Sequence, residues 1–377
     1  MTDNQYGQIV VKLQSCPVLE ELEVMWCDLE GRAAASFFLS WVWIGAWLES
    51  LREAPLLLTA RHNGTLVGLA LIGQRDVRRF GVTLPTLYLT QSGRRDEDSV
   101  FTEFNGFLVD QSCAEKVNAA CIDYLVEGKE VPEWMEFTLS GVPEALYSLA
   151  RDTSLDITER AVRTCPYVML DHIRESEGDF LLSLSKNTRY QIRRSKRLYE
   201  DKGQVKISHT SCQQEAHDWL DDLEVLHQKS WSVKGQSGAF ANPVFTSFCH
   251  RLLSRGFAKS EVDVIKVSAG PSVLGYLLNF IEGDRVMNYQ SGFSYEDHDH
   301  FKPGLVAHAL AIQDYLDHGK VTYSFLAGDS QYKSSFSNAS ETLYWLVLQR
   351  DSGFLRLERG ARHMKSQISN WIGRCGI

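Results

Sequence analysis

FKPGLVAHALAIQDYLDHG, residues 301–319, sets an apolar helix directly behind a proline and a glycine, and SYEDHDH (294–300) before it is crowded with acids and histidines. Pro303 is shaped for a first helical turn, and Gly304 lets another molecule come close to the backbone. A helix start has free N–H donors and partial positive charge. The stretch therefore either starts a helix and nothing more, or holds something negative at that start. The run MNYQSGF (287–293) reads as a strand leading into it, and VTYSFLAGDSQYK (321–333) as a strand and turn returning beside it. Strand, loop, helix and strand, with a ligand at the helix start, is a common seat for a nucleotide tail.

Further out, the same plan occurs twice. In the first half, FFLSWVWIGAWLES (37–50) reads as a buried amphipathic helix capped by Ser40, too short to span a bilayer. Two apolar runs then flank His62-Asn63-Gly64, a strong hairpin signal. A third run (83–93), a helix from Ser112 and the strand WMEFTLSGVPE (134–144) complete the half. In the second half, helices over 214–230 and 242–255 precede three strands within 260–293, punctuated by Gly270-Pro271 and Glu282-Gly283-Asp284. The Pro303 helix, the strand VTYSFL, a turn at AGDSQ and a last strand ETLYWLVLQ follow. The expected division is 1–170, 171–352 and a basic helix over 353–377.

The chain has 377 residues, a net charge of −9 and 44% hydrophobic residues, which fits a soluble globular protein and excludes holding nucleic acid by bulk charge; the order of helices and strands makes it mixed α/β. Eight cysteines without a CxxC pair argue for reduced thiols rather than a zinc site or disulfide scaffold. No signal-peptide pattern opens the chain, so the expected location is the cytoplasm, with no membrane span.

Against the acidic total, residues 180–200 carry a basic helix. Lys186, Arg189, Arg193 and Arg197 step by three or four and share one face, while Thr188, Ile192 and Tyr199 fall on another that packs on the core. Such a face is either solvated or gripping an anion. In the 294–300 loop the acids and histidines are adjacent, the wrong spacing for a metal, so no metal site is assigned. His298 or His300 is a candidate general base because histidine titrates near neutrality, and the alternative is a plain hydrophilic loop.

FFLSWVWIGAWLES, SKNTRYQIRRSKR (185–197), HQKSWSVKG (227–235), the Pro303 segment and GDSQYKSSF (328–336), in this order, resemble the GNAT-type acyltransferases. The likeness is nearest to the tandem-GNAT group with the CelD/BcsL-type acetyltransferases and more distant to the Fem-type aminoacyl transferases. It implies two GNAT-like domains, each a mixed, mostly antiparallel sheet flanked by helices. It implies an acyl-CoA or acyl-carrier thioester as co-substrate at Lys302, Pro303, Gly304, Leu305 and Val306, with no permanently bound cofactor. Where the family repeats a glycine in this loop, only Gly304 is present. The likeness also implies N-acyl transfer to an amine of a small molecule, with Tyr332 as proton donor and Asp329 orienting the amine. Trp231, Tyr289, Gln290 and Lys333 would line the acceptor site, with Lys186, Arg189 and Arg193 on phosphates. A Fem-like enzyme using charged tRNA and a non-catalytic binding protein are the alternatives.

Overall fold

The computed structural model describes residues 9–361 other than 129, 177 and 329. Its strands are β1 (Ile9–Ser15), β2 (Leu56–His62), β3 (Thr65–Arg79), β4 (Val82–Leu89), β5 (Leu108–Val109), β6 (Glu136–Pro143), β7 (Asp156–Met169), β8 (Val205–His209), β9 (Val262–Ala269), β10 (Ser272–Glu282), β11 (Arg285–Phe293), β12 (Thr322–Ser324) and β13 (Ala339–Gln349). All join one sheet in the order β1-β2-β3-β4-β6-β13-β7-β12-β11-β10-β9-β8, with β5 paired to β3. Along that order every pair is antiparallel except β4–β6 and β11–β12, one parallel pair in each half. The His62-Asn63-Gly64 hairpin forms as read: Asn63 and Gly64 have φ of 50° and 82°, the conformation a tight two-residue turn between twisted strands requires.

The halves are tied by their closing strands. β13, the end of the second half, lies between β6 and β7, while β7, the end of the first, lies between β13 and β12. The sheet therefore runs unbroken across the middle of the chain.

The 37–50 segment sits where the halves meet. Ser40 caps its helix by accepting from the Trp43 N–H at 3.3 Å, as the sequence implies. The helix (Trp41–Leu48) is not amphipathic, however: the seven residues Trp41–Trp47 are all buried. An all-apolar helix is stable only when covered on every side, and both halves cover this one. Phe37 stacks on Phe280 of β10 with ring centroids 4.3 Å apart, and Trp43 meets Phe38, Phe248, Phe280 and Tyr289 edge-on. Trp43→Ala is expected to destabilise by about 3–5 kcal/mol, the usual result of emptying a buried aromatic site; urea unfolding checks this.

The seven cysteines among the described residues are unpaired thiols. Among the same residues no helix is long and apolar enough to cross a membrane. Of the expected C-terminal helix, 353–361 is helical and the remainder lies outside the described residues.

Candidate active site

β11 and β12 pair only from Arg285↔Thr322 to Met287↔Ser324 and then part. A cleft of about 540 Å³ opens in the gap, the place where open α/β sheets seat ligands. β11 is bulged there: Leu278 faces Gln290 and Asn279 faces Asn288, leaving Tyr289 as the extra residue.

In the first half the corresponding gap is filled. β4 and β6 pair only over Thr86–Tyr88 and Glu136–Thr138. Past that point the fully buried Asn105 bridges them, its N–H donating to Gly141 O at 2.9 Å and its Nδ2 to Leu89 O at 2.8 Å. The fit needs a glycine on β6, because a Cβ on Gly141 would lie 2.8 Å from Thr102 O.

The segment that closes this gap sends Glu103 into the open one. Glu103 Oε2 accepts from the Ala327 N–H at 2.8 Å, and Lys333 Nζ donates to Ala327 O at 3.0 Å, so the turn after β12 is held from both sides. Burial pushes the Glu103 carboxyl up from 4.5 to about 7, against the Ala327 N–H and the charges of Lys333, Arg163 and Arg285. Phe101, Phe104 and Leu326 beside this contact have φ of 54°, 47° and 58°. Each left-handed bulky residue costs about 1–2 kcal/mol, and such strain clusters at functional sites.

Tyr332 lies on a short helix (Gln331–Phe336) where the sequence suggests a turn. Burial pushes its phenol up to about 12, so it stays protonated. It stacks on His308 of the Pro303–Asp317 helix, centroids 5.3 Å apart. His308 is fully buried, with Nδ1 3.2 Å from the Tyr323 hydroxyl and no partner on Nε2. Burial, aided by Lys333, pushes it down to about 3, so its ring is neutral.

A second cavity of about 290 Å³ lies at the Pro303 helix start, lined by Lys302, Gly304, Leu305 and His308, and it shares Phe293, Tyr295 and Tyr332 with the cleft. No side chain caps this helix. Glu296 and Asp299 also line the cavity, and Glu296 pairs with Lys202 at 2.5 Å. Pro303 and Val306 are buried and line neither cavity.

Trp231, Tyr289, Gln290 and Lys333 line the cleft with Tyr332. Tyr289 turns its phenol away, donating to Val100 O at 2.5 Å. His300 lines neither cavity; its Nδ1 is 2.7 Å from Arg194 Nη2. The basic stretch is two helices, Phe180–Ser183 and Lys186–Glu200, the second capped by Ser185. Thr188, Ile192 and Tyr199 are buried as read. Lys186 and Arg193 are exposed, Arg189 donates to Leu182 O at 3.1 Å, and none of the three lines either cavity. Asp329 lies outside the described residues. The sequence reading missed Glu103 and His308: FTEFNG matches no motif, and His308 looks like one more residue of an apolar helix.

Helices around a mostly antiparallel sheet, with a parallel pair parting beside a helix start in the second half, make this a mixed α/β protein. Residues 186–334 match the family described as an acetyltransferase (GNAT) domain. No curated protein matches the chain. Among solved structures, FemX is 11% identical, with 92% of this chain and 99% of that one covered and a TM-score of 0.59. The C-terminal domain of a putative lysylphosphatidylglycerol synthetase from Agrobacterium fabrum is 11% identical over 94% and 96%, with a TM-score of 0.53. L-PGS from Bacillus licheniformis is 9% identical over 96% and 99%, with a TM-score of 0.52. At these identities the likeness is one of fold.

Proposed function

We propose that this protein is an N-acyltransferase of the CelD/BcsL-type tandem-GNAT group. It would comprise two GNAT-like units dividing near residue 170 and work in the cytoplasm. The donor is the thioester of an acyl-CoA or acyl carrier, its tail at the Pro303 helix start. The acceptor is an amine on a sugar, an amino acid or an envelope or natural-product precursor, entering the cleft. One observation carries this reading: Glu103 and Tyr332, both pushed up by burial, line one cleft that adjoins the helix-start cavity. The helix-start cavity suits a donor tail, since it combines uncapped N–H groups, Lys302 and the unpartnered His308 Nε2.

The Glu103 carboxylate takes a proton from the acceptor ammonium, and the amine attacks the thioester carbonyl. A C–N bond forms, the C–S bond breaks, Tyr332 gives its proton to the leaving thiolate, and the proton the nitrogen sheds as the amide forms returns to the Tyr332 phenolate. The test is turnover of acetyl-CoA and a longer acyl-CoA with a panel of amines, followed by mass spectrometry. Tyr332→Phe is expected to lower kcat about 10²-fold, and an unchanged kcat would sink the assignment.

A further inference from the structure

Asp263 on β9, Asn279 on β10 and Asn288 on β11 stand opposite one another in the sheet register, a polar row through largely apolar strands. Asn279 is fully buried and Asn288 is 7% exposed. The row starts near the surface, where Asp263 Oδ2 lies 2.9 Å from His209 Nδ1 and Asp314 Oδ2 lies 3.0 Å from His209 Nε2. Hydrogen bonds to these two carboxylates push His209 up to about 10, so Asp263 faces a cation at neutral pH.

From that end the direction of every hydrogen bond is forced. A carboxylate only accepts, so the Tyr315 phenol donates to Asp263 Oδ2, at 2.7 Å. Its oxygen is left to accept, and Asn279 must turn its amide nitrogen toward it, at 3.2 Å. Asn279 Oδ1 then faces Asn288, which donates from Nδ2 at 2.9 Å. Asn288 Oδ1 is left for Ser291, whose hydroxyl donates its only hydrogen at 3.1 Å. The bulge at Tyr289 brings Ser291 to the same side of β11 as Asn288, and both line the cleft. Ser291 therefore offers the cleft lone pairs and no hydrogen.

We propose that Ser291 is a specificity-determining residue: its oxygen accepts a hydrogen bond from the acceptor substrate and selects amines with a second N–H or O–H donor near the reacting nitrogen. Tyr315 is the positioning residue that holds this polarity from the other end of the row. The inference rests on the cleft being the acceptor site, but not on the transfer chemistry.

The probes are 2-aminoethanol, whose hydroxyl donates, and 2-methoxyethylamine, whose ether oxygen only accepts. Their binding to the full-length protein is compared by ligand-observed NMR titration. The wild type should bind 2-aminoethanol roughly fivefold tighter, the effect of one neutral hydrogen bond. Ser291→Ala should bring the ratio to one. Tyr315→Phe, which releases Asn279 and Asn288 to turn and Ser291 to donate, should also collapse the ratio. A merely structural role for Tyr315 would weaken both amines alike and leave the ratio standing. A ratio of one in the wild type, or a ratio that survives either substitution, overturns the proposal. Failure of all acyl transfer with the ratio intact would count against the transferase reading alone.

Discussion

Glu103→Gln is expected to cut kcat/KM by about 10²–10³-fold, the usual contribution of a positioned base, and at the same time to make the protein more stable at pH 8. Both effects come from one cause. Burial raises the folded carboxyl from 4.5 to about 7, so the folded state holds that proton more tightly than the unfolded chain. Stability from this group is fully present below about pH 4.5 and is lost as pH rises through 7. At pH 8 the wild type keeps a carboxylate in a site that disfavours it, at a cost of about 1–3 kcal/mol given its partial access to the cleft. A glutamine oxygen can still accept the Ala327 N–H, without the charge. Wild-type kcat/KM should rise with pH to a plateau above about 7, and the variant should lack that limb. Calorimetric melting at pH 5 and pH 8 should give a stabilisation by the variant at pH 8 that shrinks at pH 5. A variant with activity within a few-fold of wild type, or one that keeps the pH limb, would remove Glu103 from the reaction.

What the sequence discloses follows the range of the forces involved. Asn63-Gly64 and the Ser40 cap act over a few residues, and both are legible. The helix expected from Ser112 begins at Ala114, because Asp110 caps a short preceding turn instead, accepting from the Ser112 N–H at 3.0 Å. The exchange of β7 and β13 leaves no local mark, since each strand alternates as it would beside any neighbour. The site divides the same way. Gly304, Tyr332 and Lys333 sit in or beside segments with a recognisable local pattern. Glu103 reaches the cleft only because its neighbours close the gap between β4 and β6, and Ser291 acquires its polarity from Tyr315 through Asn279 and Asn288 on two strands. Helical spacing correctly puts Lys186, Arg189 and Arg193 on one side of their helix, but it carries no information about what that side faces.

Gly304→Glu is expected to abolish measurable binding of CoA, acetyl-CoA and a longer acyl-CoA, a loss of more than about 100-fold, while leaving the fold intact. Gly304 is the second residue of the Pro303–Asp317 helix and lines the helix-start cavity. A carboxylate in the first helical turn favours the helix itself by a few tenths of a kcal/mol or more. That same charge occupies the end of the dipole proposed for the donor's phosphates and repels them, so the substitution acts with opposite signs on stability and on binding. Steric effects are separable. A Cβ at Gly304 would lie 3.2 Å from Phe293 Cε2, a contact that Phe293 relieves by moving a few tenths of an ångström. Gly304→Ala therefore measures crowding without charge and should cost severalfold at most. Calorimetric titration of the three ligands against wild type and both variants separates the two terms. Loss in the glutamate variant alone identifies an anion site at the helix start, and equal loss in both means that the Phe293 wall, not the dipole, governs entry. Wild-type affinity in the glutamate variant would show that the donor lies elsewhere, with the uncapped start of this helix facing only water.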